Sequence, residues 1–176
     1  VSFNFSAKDS NGKTVSYHLG PYSISSMDIK LDVVMKNNSC FSIADMQSYE
    51  NTNTADASKI DLVYLYRKMS TVNFLHALVT PTADKEYLPD ITLPSGATNN
   101  IPIRRTYGAI DQQLARDQYG VFIDDLDFQK ITFENAAEVA LNMKKESGLW
   151  VESADGQYRA FIYVNSIDND KEEITI

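Results

Sequence analysis

Cysteine is all but missing from this chain. Cys40 stands alone among 176 residues, so no internal disulfide can form and cysteine usage leaves the redox compartment open. Histidine is nearly as scarce. His18 and His76 are the two present, and neither belongs to an HxxxH or CxxC spacing, so no zinc signature exists. A GxSxG nucleophile elbow is also absent. No apolar run approaches the roughly 20 residues that span a bilayer, so a transmembrane segment is not expected. Positive charge is in deficit, with 16 Lys and Arg against 24 Asp and Glu. The net charge of −8 and pI near 4.7 produce a field that repels a phosphate backbone, and nucleic acid is not an expected partner.

What remains is an ordinary globular composition, 43% hydrophobic and 23% charged, with 7 Gly and 5 Pro. The length suits one core, so residues 1–176 are read as a single domain. The chain opens on Val1 rather than Met. A processed N-terminus is expected, with any targeting segment removed.

Alternation dominates the first third. Val1, Phe3 and Phe5 alternate with Ser2, Asn4 and Ser6, and Asn11-Gly12 then separates this run from Val15, Tyr17 and Leu19. Two paired strands are predicted. A third strand is read from Met27, Ile29, Leu31 and Val33. Residues 44–58 are polar and read as a loop. "KIDLVYLYR" at 59–67 is apolar on both faces, the mark of a central strand, and "NFLHALVT" is a further short strand. Residues 81–102 hold four prolines and read as a long surface excursion, where function tends to reside.

The best helix signal is "TFENAAEVALNMKKESG". Thr132 is placed to cap it, Glu134 and Lys144-Lys145 match the dipole at either end, and Gly148 stops it. The fold class expected is therefore α+β. A mainly antiparallel sheet would carry one well-capped helix over about 133–146, with a second short helix over about 109–118 from "AIDQQLARDQYG". "VFIDDLDF" reads as another strand.

The most legible stretch is "GLWVESADGQYRAFIYVNSID" at 148–168. A two-residue Asp155-Gly156 turn, both residues at positive φ, would pair Glu152 with Arg159 and Trp150 with Phe161. Tyr158, Ala160, Ile162 and Val164 should then face the core, and the helix should cover Trp150.

Chemical signals are sparse. Asp124, Asp125 and Asp127, and separately Asp168 and Asp170, are conceivable ligands for a hard cation, but without EF-hand spacing they read as solvated turn charges. No metal site and no cofactor is predicted. The histidines read as packed or edge residues and Cys40 as a small buried hydrophobe. The aromatics Trp150, Phe161 and Tyr163, with Tyr87 and Tyr107 beside the Pro-rich excursion, are the candidate binding residues.

"SKIDLVYLYR", "YGVFIDDLDFQKI" and "GLWVESADGQYRAFIYVNSID" together resemble uncharacterised secreted or lipoprotein domains of Bacteroidetes. The resemblance implies export to the periplasm or cell surface, with an anchor cysteine in a lipobox upstream of Val1. It supplies no activity and no functional residue. The expected function is a non-catalytic extracellular or periplasmic binding or adhesion module, with a glycan or another envelope protein as partner. The alternative is a carboxylate-dependent hydrolase using residues 124–127 on an extracellular substrate.

Overall fold

The computed structural model describes residues 1–22, 27–53, 55–67, 75–88, 91–106, 123 and 125–176. The expected helix at 109–118 and Tyr107 lie outside them, as does Asp124. Among the described residues the chain is mostly β, and its strands form four small sheets whose pairings are all antiparallel.

β1 (Phe3–Lys8) and β2 (Thr14–Leu19) form the predicted N-terminal hairpin, with Phe5 opposite Tyr17. Its apolar face is open to solvent: Phe3, Phe5, Val15 and Tyr17 are 51–65% exposed. The third predicted strand shrinks to β3 (Val34–Lys36), because Asp32 adopts φ 59° and breaks the extended run.

The centre of the molecule is a five-stranded sheet. It runs β5 (Gln47–Tyr49), β4 (Cys40–Ser42), β6 (Leu62–Tyr66), β7 (His76–Val79) and β9 (Val139–Ala140). β6 is buried along its whole length, as its two-sided apolar sequence requires. Leu62, Tyr64 and Tyr66 enter one core, while Val63 and Leu65 enter a second on the opposite face. The second core is closed by the Pro-rich excursion through Ala83, Tyr87, Leu88, Ile91, Leu93 and Ala97. Each fully buried Leu, Ile or Val contributes about 1.5–3 kcal/mol.

The first core is shared with two three-stranded sheets. One runs β11 (Arg159–Tyr163), β10 (Gly148–Glu152) and β8 (Ile103–Thr106). The other runs β12 (Ser166–Asp168), β13 (Glu173–Thr175) and β3.

The α+β reading is overturned at 133–146. That segment is not helical, and no helix packs on a sheet face there. Asn135, Asn142 and Glu146 sit at φ 54–67°, a region closed to a right-handed helix. The backbone hydrogen bonds go sideways instead. Ala137 exchanges both bonds with Ile103, Glu138 O accepts from Thr80 N, and Met143 N donates to His76 O. The side chains then alternate as in a strand: Val139 and Leu141 pack on the second core, Ala140 on the first. Gly148 begins β10 rather than ending a helix. The α-helix that the described residues do contain is Asp125–Lys130, where a strand was expected. Asp is a poor strand former, and Asp125 and Asp127 in the first turn with Lys130 in the last suit the helix dipole.

Candidate functional site

β10 alternates cleanly. Leu149 and Val151 point into the core at 0% exposure, so Trp150 and Glu152 must point outward. The register extends this outer face across the sheet: Trp150 lies opposite Phe161 on β11 and Arg104 on β8, Glu152 opposite Arg159, and Gly148 opposite Tyr163. The predicted pairing is present. The turn differs, because Ser153 N donates to Tyr158 O and Gly156 N to Ser153 O, giving a four-residue loop with the same register. Gly156 alone takes positive φ, at 69°, while Asp155 accepts from Ser153 Oγ at 2.6 Å and from Gln157 N at 3.0 Å. Those bonds hold the Asp155 carboxyl below its usual range, the Ser153 hydroxyl first. Tyr158, expected in the core, is 47% exposed.

Trp150 is half-buried, but not under the helix expected of it. Phe128, from the short helix, meets it edge-on with centroids 5.2 Å apart, and Phe161 packs beside it at 4.8 Å. Aromatic pairs of this kind add about 0.5–1.5 kcal/mol each beyond burial. Arg159 fastens the helix to the sheet. Its Nε donates to Glu152 Oε2 at 2.6 Å, its Nη1 to Phe128 O at 2.7 Å, and its guanidinium lies 5.8 Å from the Phe133 ring centroid. Phe161 and Tyr163 are half-buried on the same face.

Beside Trp150 opens a hollow of about 420 Å³, lined among the described residues by Arg104, Arg105, Lys130, Ile131, Thr132 and Trp150. Arg104 Nη1 donates to Thr132 O at 2.6 Å and to Thr132 Oγ1 at 3.2 Å, so the threonine expected to cap a helix instead holds a guanidinium. Arg105 donates to the carbonyls of Leu141 and Asn142. A second hollow of about 490 Å³ is neutral, lined by Asn38, Asn51, Thr52 and residues 91–94 of the excursion.

The remaining described candidates do not join this site. Tyr87 packs half-buried on the second core, with Glu86 bound to its hydroxyl and raising its pKa. Asp125 and Asp127 are two apart on the helix, a spacing that does not face side chains together. Asp168 Oδ1 accepts from the backbone N–H of Asp170 and Lys171, both at 3.0 Å, and its carboxyl is held low by the Lys171 N–H first. That is a self-satisfied turn. Among the described residues no group of three or more His, Cys, Asp and Glu is placed to hold a metal ion. Arg104 and Lys130 were missed by the sequence reading. The pairing of Arg104 with the one tryptophan was available only once β8 was known to lie beside β10.

The fold and site define a mostly β domain with a shallow, aromatic and basic outer shelf. The chain belongs to the DUF8576 family, a domain of unknown function, whose model matches residues 25–176. Among solved structures it is similar to a DUF4466 family protein from Parabacteroides merdae, at 38% identity and a TM-score of 0.71. The likeness covers 99% of this chain and 60% of that one, so the chain spans about three-fifths of its solved relative's length. No curated protein matches the chain. The expected kinship with uncharacterised Bacteroidetes domains is therefore present at the level of family and fold. No helix among the described residues is long and apolar enough to cross a membrane.

Proposed function

We propose that the chain is a non-catalytic binding module of a bacterial envelope, exported to the periplasm or surface and carried by a lipid anchor. Its ligand is an envelope glycan or an envelope protein. One observation carries the reading: Trp150, Phe161 and Tyr163 share the outer face of one sheet, and Trp150 lines the hollow that holds Arg104 and Lys130. Apolar walls with a few converging polar groups, in a volume of several hundred Å³, are the usual makings of a ligand site. The hydrolase alternative has less support, since Asp125 and Asp127 diverge on their helix. Envelope location rests on the sequence resemblance and is tested by fractionating cells that express the full-length protein.

The binding claim is tested by calorimetry of the chain against isolated envelope polysaccharides and purified envelope proteins. Saturable binding without ligand turnover, abolished by Trp150→Ala and weakened by Arg104→Ala, is the expected result. Binding indifferent to both substitutions would remove this shelf from consideration, and release of new reducing ends would turn the reading to hydrolysis.

A further inference from the structure

We infer that the Trp150 shelf, granted the binding reading above, selects a saccharide carrying a single oxyanion, a carboxylate or sulfate, which Arg104 and Lys130 bind beside the indole. The chain carries 24 acidic against 16 basic residues, yet the hollow's described lining includes three cations and no acid. Such segregation runs against the protein's own composition. The ion pairs found among the described residues lie elsewhere, joining Lys59 to Asp45 and Asp56, Arg159 to Glu152, and Lys171 to Asp168. Arg104 and Lys130 have no carboxylate partner among the described residues. Arg105 is already engaged, its guanidinium serving the Leu141 and Asn142 carbonyls.

The hydrogen-bonding groups of the hollow point the same way. Guanidinium, ammonium and indole are donors only. The one acceptor side chain in the described lining, Thr132 Oγ1, already accepts from Arg104. That bond and the one to Thr132 O fix Nη1, so Nε and Nη2 remain as a pre-oriented pair of donors beside Trp150. Glu152, two residues along β10 on the same face, would oppose an anion, but its charge is met by Arg159 at 2.6 Å. A described lining rich in charged donors and poor in side-chain acceptors matches an oxyanion, and charge-assisted bonds are the strong ones.

The net charge of −8 limits how much negative charge the ligand carries. A dense polyanion would be repelled by the rest of the surface, whereas an isolated oxyanion within a Debye length, about 8 Å at physiological salt, feels mainly the local cations. Ile131 and the indole supply apolar wall for the C–H surface of a sugar ring.

The chain contains one tryptophan, so its fluorescence reports on this site directly. Aldotriouronic acid, a xylobiose bearing one glucuronic acid and so a single carboxylate, its neutral methyl ester and sodium sulfate are titrated separately, at low and at physiological salt. The acid is expected to perturb Trp150 emission saturably, with the ester at least about tenfold weaker, and sulfate is expected to displace the acid only at far higher concentration. Lys130→Ala, an exposed change that leaves the core untouched, is expected to weaken the acid about tenfold and leave the ester unaffected, and Arg104→Ala to do the same with an unchanged melting curve. Equal binding of acid and ester would overturn the anion assignment and leave the binding module standing. Binding by sulfate as tight as by the trisaccharide would mean an adventitious ion only, and no response to either saccharide would overturn the saccharide assignment while leaving the binding reading to the calorimetry with envelope proteins.

Discussion

Tyr64 and His76 meet across β6 and β7 in the floor of the first core, with the phenol oxygen 2.7 Å from Nδ1 of the imidazole. The other ring nitrogen, Nε2, lies 2.8 Å from Oδ1 of Asn169. Both bonds are satisfied together when Tyr64 donates to Nδ1 and Nε2–H donates to Asn169, which defines a neutral tautomer. The imidazole is 3% exposed and the phenol fully buried, so the pair ties the central sheet to the turn between β12 and β13. Burial pushes the Tyr64 phenol far up, with the nearby Tyr66, Glu172 and Glu173 adding to it.

Burial also lowers the His76 pKa below its ordinary value, with the Asn169 bond opposing in part. The unfolded chain therefore binds a proton that the folded one resists. This contribution to stability is complete above the unfolded value near 6.5 and is lost as pH falls from there through the folded value. Urea unfolding at pH 5, 6, 7 and 8 is expected to show that loss in the native sequence and a flatter profile in His76→Gln. Tyr64→Phe, which leaves a buried Nδ1 without its donor, is expected to cost about 1–3 kcal/mol at pH 7. Matching profiles for native and His76→Gln chains would refute the linkage.

Cys40 sits at 0% exposure in β4, and burial pushes its thiol up to about 11. A protonated, enclosed thiol is a poor nucleophile. Ellman's reagent is expected to find no reactive thiol in the folded chain at pH 8, and one thiol per chain in denaturant. Rapid labelling of the native protein would contradict its place in the second core.

The β1–β2 hairpin is closed on itself. Val1 N donates to Tyr22 O at 2.5 Å, Tyr22 N donates to Val1 O at 2.7 Å, and the family match begins only at residue 25. Deletion of residues 1–22 is expected to shift Tm by no more than about 2 °C, the scale of a surface change in a chain of this size. It also removes the exposed Phe3, Phe5, Val15 and Tyr17, so light scattering at high concentration should fall. A drop in Tm of 8 °C or more would show that the hairpin supports the cores.

Local pairing was legible in the sequence, and long-range pairing was not. The 150–161 and 152–159 partners follow from alternation and loop length, and the burial of β6 follows from its two apolar faces. Trp150 could be named, but its surroundings could not. Arg104 reaches it across 46 positions of sequence, and no periodicity encodes which strand lies next to which. The helix misreading has a local cause. Ala136, Ala137, Ala140, Leu141 and Met143 satisfy a 3.6-residue period and a strand with two irregular turns equally well, because small alanines fit either. The asparagines at 135 and 142 carried the contrary signal, since Asn tolerates the left-handed region better than most residues.

That signal offers the sharpest test of the segment. Asn142 adopts φ 54°, and its side chain makes no hydrogen bond among the described residues, its backbone carbonyl alone accepting from Arg105. Asn142→Ala therefore changes little except the cost of positive φ, which rises by about 1 kcal/mol when a Cβ residue without local hydrogen-bonding capacity replaces Asn. In a helix the same substitution would stabilise, by about 0.5 kcal/mol, because Ala is the better helix former. The two architectures predict opposite signs. Urea unfolding of Asn142→Ala is expected to show a lower midpoint at an unchanged slope, and Asn142→Gly, which meets no steric cost at that φ, a midpoint at or above the native one. A raised midpoint for Asn142→Ala together with a lowered one for Asn142→Gly would restore the helix.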